Sequence, residues 1–310
     1  MPSYSGVWTL PAQYQAVGAG NWQYPPAYGL FGGGGGVGSE TNVIDYININ
    51  TTANAADFGD LTVSRNAPAA TGSLTRGVWG GGYLASASNV IDYVTIASVG
   101  NATDFGDLTV GRNAPAGCGS AVRGLFGGGD AAVETNIIDY ITIASTGNAI
   151  DFGDRTVKVS LLGACDSPTR GVFAGGQTAT NVIDYVTIAT TGDAIDFGDL
   201  TVAKRYLSGC SSSTRGLFGS GVSDTNVIDY ITIASVGNAI DFGDLSVARY
   251  WAAAASSASR GTFAGGTTGS ASNVIDYVTI ASTGNAASFG QLTLARQALA
   301  GCSNSHGGLQ

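Results

Sequence analysis

One imidazole, His306, is all the chain offers, so a His-based triad or a multi-histidine metal site is close to excluded. Four thiols follow: Cys118, Cys165, Cys210 and Cys302. Carboxylates are commoner. Asp-Phe-Gly-Asp occurs from Asp57 to Asp60 and again at 104–107, 151–154, 196–199 and 241–244, and Ser288-Phe289-Gly290-Gln291 takes the sixth place. Paired carboxylates on a glycine turn could hold Ca²⁺, and Asp-Phe-Gly is the metal triplet of protein kinases. No Gly-rich loop, strand lysine or catalytic loop accompanies it here. Its recurrence favours carboxylates that accept hydrogen bonds within turns or between repeated units. Gly32 to Gly36 fits a loose phosphate-loop pattern, but the same run ends a strand in every repeat. With no nucleophile–base pair, metal cluster or cofactor motif, the chain is expected to be no enzyme, with no catalytic residue, no metal and no cofactor.

The elements that hold these residues are set by repetition, which is sought before anything else. Ile-Asp-Tyr recurs six times, with its aspartate at Asp45, Asp92, Asp139, Asp184, Asp229 and Asp276, at intervals of 47, 47, 45, 45 and 47 residues. Each repeat reads as four short strands. In the fifth these are 217–219, Asn226 to Ala234, Ile240 to Val247 and the small-residue tract Trp251 to Ser257, with turn residues between. No sustained 3.6-residue period appears, so helix is essentially absent. Six four-stranded units of this length predict an all-β, six-bladed β-propeller over 28–310, with the small tract innermost where strands converge. Arg-Gly follows each Ile-Asp-Tyr aspartate at 31 residues, and the same count from Asp276 reaches Gly307-Gly308-Leu309, just inside a seventh start. Residues 297–305 should therefore supply the innermost strand of the blade begun by 29–63, closing the ring and removing its open edges. Residues 1–27 do not repeat. They are uncharged and aromatic, and are expected to pack on the propeller or anchor it in a neighbour through Trp8 and Trp22.

Charge narrows the partners. The 310 residues carry 22 carboxylates against 13 cations, net −9, which argues against nucleic acid. Two lysines make no basic patch for anionic lipid, and no apolar run is long enough to span a membrane. Ten arginines occupy two repeat positions: Arg76, Arg123, Arg170, Arg215 and Arg260, and Arg65, Arg112, Arg205, Arg249 and Arg296, with Lys204 holding the aligned place beside Arg205. Charges that recur once per blade are expected to tie blade to blade, Asp45 and its equivalents among them. The cysteines share one small-tract position, with Ala70 and Ala255 expected in the other two blades. Equivalent places on a wheel are too far apart for disulfides, so the thiols should be free and buried.

The glycine pair after an apolar strand, the tyrosine one strand later and the arginine before the small tract resemble a degenerate kelch pattern, without its regular tryptophan. Gly-Leu-Phe-Gly-Gly-Gly, Ile-Asp-Tyr-Ile-Thr-Ile-Ala-Ser and Asn-Ala-Ile-Asp-Phe-Gly-Asp-Leu-Thr-Val, with the opening Ser5 to Pro11 and the closing His306 to Gln310, resemble proteins of marine, cyanophage-like bacteriophages. That resemblance spans the chain. It implies a virion or tail-associated structural protein, assembled in the host cytoplasm, whose partners are other virion proteins and a host-surface receptor or glycan. A tail-fibre or adhesin-type module leads, a capsid-decorating knob is the alternative, and a glycan-binding lectin comes third.

Comparing the repeats locates a face. All length variation falls in 35–41, 83–88, 130–135, 177–180, 222–225 and 267–272, between second and third strands. The tract leading into the small strand also varies, at Asn66, Asn113, Leu161, Tyr206, Trp251 and Ala298. Both connections should emerge on one side of an up-and-down blade. Loops free of scaffold duty are where binding is usually placed, and Tyr83, Tyr206 and Trp251 are the aromatic candidates.

Overall fold

The computed structural model describes residues 26–36, 39–177, 180–222 and 226–309. Six antiparallel four-stranded sheets form a closed ring, a β-propeller. From axis to rim, blade 2 runs Ala69–Gly72, Arg76–Gly80, Val90–Thr95 and Thr103–Asp107. Blades 3 to 6 repeat that order from inner strands Ala116–Gly119, Gly163–Asp166, Ser208–Ser211 and Ala253–Ser256. Blade 1 is assembled from both ends of the described chain. Ala300–Ser303 is its inner strand and pairs antiparallel with Tyr28–Gly32, Leu30 opposite Cys302, ahead of Val43–Asn48 and Ala56–Asp60. The expected closure is what the ring shows. Among the described residues helix is limited to one 3₁₀ turn, Gly307–Leu309, so the expected seventh start is a turn instead of a strand.

The core lies between blades. In one cluster Val78, Ile91 and Phe105 of blade 2 pack on Phe126, Ile141 and Ile143 of blade 3. The third strand is therefore apolar on both faces. The phenylalanine of Asp-Phe-Gly is buried edge-on against the Ile-Asp-Tyr tyrosine of its own blade, Tyr46 to Phe58 at 5.7 Å and Tyr93 to Phe105 at 5.8 Å, a geometry that ring quadrupoles favour. Its glycine is required by the next blade. A Cβ on Gly59 would overlap the Gly100 carbonyl, and Gly59 sits at φ 143°, where a side chain is strained. The Gly-Asn-Ala turn then ties the two blades: Gly100 N–H donates to Phe58 O at 2.7 Å, and Asp60 N–H donates to Asn101 Oδ1 at 3.1 Å. The backbone of Asp-Phe-Gly-Asp thus makes the inter-blade bonds expected of its carboxylates, while Asp57 is exposed.

The Ile-Asp-Tyr aspartates are fully buried and each meets one cation carried on the connection from the preceding blade. The pairs are Arg65–Asp92 at 2.8 Å, Arg112–Asp139 at 2.7 Å, Lys204–Asp229 at 2.9 Å, Arg249–Asp276 at 3.0 Å and Arg296–Asp45 at 2.7 Å. A threonine or serine hydroxyl from the same connection also donates to each carboxylate, as Thr109 does to Asp139 at 2.6 Å. Burial pushes Asp92 up and Arg65 down, and their mutual attraction opposes both shifts. Asp184 departs from the pattern, taking Arg155 Nε at 3.0 Å.

The second arginine set acts otherwise than its expected pairing with carboxylates. Arg76 lies 4.4 Å from the centroid of Tyr93 in its own blade and donates to Ile143 O of the next at 2.7 Å. Arg123, Arg170, Arg215 and Arg260 repeat this on Tyr140, Tyr185, Tyr230 and Tyr277. They are inter-blade ties to carbonyls, with a cation–π contact behind each.

The four thiols are free and buried. The cysteine row includes Thr71 opposite Val78, not Ala70, and Ala255 opposite Thr262. Each side chain in the row meets the glycine at the start of the next blade's second strand: a Cβ there would lie 3.0 Å from Cys302 Sγ at Gly77 and 3.2 Å from Ala255 Cβ at Gly29. Only a small residue fits that gap.

Candidate functional site

The two variable connections do share one face, and they bond to each other. Asn66 and Tyr83 exchange backbone hydrogen bonds at 3.0 and 2.8 Å, Asn113 and Asp130 at 2.8 Å each, and Tyr250 and Thr267 at 3.2 and 2.8 Å. The opposite, constant face holds the inner-to-second turns and the starts of the third-to-outer connections, joined by Ile96 N–H to Thr75 O and Ile143 N–H to Val122 O, both 2.9 Å.

Around the axis on the variable face, six residues form a ring of backbone hydrogen bonds. Ala67 donates to Ala298, Ala114 to Ala67, Leu161 to Ala114, Tyr206 to Leu161, Trp251 to Tyr206 and Ala298 to Trp251, at 2.6 to 3.2 Å. All six have positive φ, from 46° at Ala67 to 64° at Tyr206. Left-handed backbone costs a residue with a side chain about 1–2 kcal/mol, and one hydrogen bond contributes about 1 kcal/mol. The ring therefore survives because both neighbours hold every member. Its equivalents of Leu161, Tyr206 and Trp251 are Ala67 and Ala114, one place after Asn66 and Asn113, which instead flank the ring.

The ring is small on one side and large on the other. Ala67, Ala114 and Ala298 pack together, and Leu161 and Trp251 lean onto them over the channel. Tyr206 meets Trp251 edge-on at 4.5 Å, and Tyr250 lies 5.6 Å from Tyr206 and 6.1 Å from Trp251. The Arg205 guanidinium sits 5.2 Å from the Tyr206 ring and donates to Gln177 Oε1 at 3.2 Å. The buried indole N–H of Trp251 has no hydrogen-bond partner among the described residues. Two of the three expected aromatics are thus brought together. Tyr83 is apart from them, in a two-stranded hairpin with Ser86–Ala87 on blade 2, and is 39% exposed.

Tyr250 and Arg205 were not singled out for this face. The signal for Arg205 was present: Lys204 makes the buried pair with Asp229, which leaves its neighbour free to lie outside. Trp8 and Trp22 fall outside the described residues.

No protein-family model and no curated protein sequence matches the chain. Function must be read from the site itself.

Below the ring the axis holds three voids of about 60, 80 and 40 Å³, in order from the variable to the constant mouth. A water centre needs about 10–15 Å³, whereas small-molecule sites run to about 300 Å³ and more. The axis has room for a few waters and none for a metabolite. Among the described residues no helix is long and apolar enough to cross a membrane.

Proposed function

We propose that the protein is a non-catalytic recognition propeller of a bacteriophage particle, a tail-fibre or adhesin-type module that contacts a host-surface receptor or glycan through its variable face. One observation carries the recognition half of this reading: Tyr206 and Trp251, with Tyr250 and Arg205 beside them, cluster on a strained backbone ring whose other four places hold three alanines and Leu161. Aromatic faces offer apolar contact to a sugar ring or a side chain, while the Arg205 guanidinium offers donors. Such clusters of rigid aromatics with a few directed donors mark binding surfaces.

The particle half rests on the resemblance of the repeats to marine phage proteins. The constant face suits the attached side. It exposes Val99, Val122 and Leu74 at 62–63% and Val236 at 58%, an apolar surface fit for a neighbouring virion subunit. The same apolar face supports the alternative, a capsid-decorating knob docked by that side. Electron microscopy of particles carrying a labelled copy separates the two. Label at the tail tip or fibres is the expected result, and label spread over the capsid shell would favour the knob.

A further inference from the structure

At the constant mouth of the channel the inner strands end in Gly72, Gly119, Asp166, Ser211, Ser256 and Ser303. The polar members pass hydrogen bonds around the rim. Ser303 Oγ donates to Ser256 O at 2.6 Å, Ser256 Oγ to Ser211 O at 2.8 Å, Ser211 Oγ to Asp166 Oδ1 at 3.2 Å, and Gly119 N–H to Asp166 Oδ2 at 2.8 Å. The two glycines leave a gap, and the chain after blade 1's inner strand folds into it. Gly308 is pressed on Gly119 so closely that a Cβ would overlap the Gly119 carbonyl. Its N–H donates to Asp166 Oδ1 at 2.8 Å, with His306 Nδ1 at 3.2 Å as the longer arm.

His306 spans the ring. Its Nδ1 is 2.9 Å from Asp166 Oδ1 on blade 4, and its Nε2 is 3.0 Å from Gly72 O on blade 2. Both partners are acceptors. A neutral imidazole has one N–H to give and an imidazolium has two, so only the protonated ring satisfies both contacts. Deprotonation leaves a lone pair facing either a carboxylate or a carbonyl, in a site where His306 is 8% exposed.

We propose that residues 304–309 form a proton-operated bolt: protonated His306 fastens blade 1 to blades 2 and 4 across the mouth, and loss of that proton releases the turn and opens the constant end of the channel. The thiols around the cavity stay silent. Its wall carries Cys118, Cys165, Cys210 and Cys302 from blades 3, 4, 5 and 1, besides Asp166. Burial pushes Cys210 and Cys302 up to about 12 and Cys118 and Cys165 well above the usual thiol value. Arg155, the cation felt by Cys118, is committed to Asp184. Blades 2 and 6 present only uncharged groups to the cavity.

Burial disfavours the His306 cation, but the Asp166 charge and hydrogen bond, with the Gly72 carbonyl, outweigh it and hold His306 above its ordinary 6.5. A group raised on folding contributes stability that is complete below the unfolded value and lost as pH climbs through the folded one. The bolt is therefore closed in acid and opens on the alkaline side, by about tenfold in its open-to-closed ratio for each unit of elevation.

The full chain holds one histidine, so nuclear magnetic resonance reads its titration without ambiguity. The expected result is an imidazole midpoint above 6.5, both ring nitrogens protonated below it, and Gly308 amide protection, corrected for base-catalysed exchange, falling across it by the factor that the elevation dictates. A midpoint at or below 6.5, or protection unchanged across the midpoint, would overturn the proposal. His306→Gln should show the weak protection at every pH. The same pH-dependent loss in that variant would overturn the proposal too, and if the variant does not fold the wild-type titration decides alone.

Discussion

Removing residues 297–310 is expected to abolish cooperative folding and to give aggregated protein. The deletion takes Ala300–Ser303 from the edge of Tyr28–Gly32, exposing a row of unpaired backbone groups that templates association. It strips Ala300 and Cys302 from the cluster around Leu30, Ile44 and Trp79, and it frees Trp79 Nε1, which donates to Ala300 O at 3.2 Å. The axial ring is also cut, because Ala298 both accepts from Ala67 and donates to Trp251. Domain stabilities are only about 5–15 kcal/mol, and several buried side chains at about 1.5–3 kcal/mol each consume that margin. Sedimentation and calorimetry check it. A monomer with an unchanged melting transition would remove closure from the account.

The second large effect concerns the junction between blades 3 and 4. Arg155 stands where the other five junctions have Leu61, Leu108, Leu200, Leu245 and Leu292, and Val159 stands where they have Arg65, Arg112, Lys204, Arg249 and Arg296. The charge and the apolar group have exchanged places over one short connection, and Arg155 still reaches its aspartate with no exposed side-chain surface. Arg155→Leu alone leaves Asp184 buried without its cation and should cost about 3–5 kcal/mol. Val159→Arg alone forces a second guanidinium into a filled site and should cost about 1–3 kcal/mol. The double variant restores the arrangement of the other five junctions and should return to within about 1 kcal/mol of the parent. Urea unfolding with constant slope measures the coupling. A double variant as unstable as the sum of the singles would show that position along this connection matters more than the pair.

This junction also marks the limit of what the sequence discloses. Blade number, strand order and closure were legible because Ile-Asp-Tyr and Arg-Gly keep their spacing in all six repeats, and period-2 patterning places their faces. The Arg65-type residues were recognised as ties, yet Arg155 was missed, since repeat alignment cannot see a side chain that arrives from four residues away. Thr71 and Ala67 were each displaced by one place, to Ala70 and Asn66. The tract holding them lacks an anchor of its own, and strand pairing alone sets its register. His306 looked like a solitary terminal residue. Its partners, Asp166 and Gly72, lie 140 and 234 residues away, a distance no local pattern bridges. The variable face was legible from loop lengths, whereas the meeting of Tyr206, Tyr250 and Trp251 depends on ring curvature and on a left-handed backbone at Tyr206 and Trp251 that neither prefers.

Competition for adsorption tests the proposed contact through that face. Purified chain is mixed with particles and host cells in three forms: the parent, a Tyr206→Ser/Trp251→Ser pair on the variable face, and a Val99→Ser/Val236→Ser pair on the constant face, each with its fold verified by circular dichroism. Loss of hot-spot aromatics costs about 2 kcal/mol or more. The variable-face pair should therefore need at least about tenfold more protein for half-competition, while the constant-face pair competes like the parent. A variable-face pair that competes undiminished, beside a constant-face pair that fails, would contradict the account at its centre.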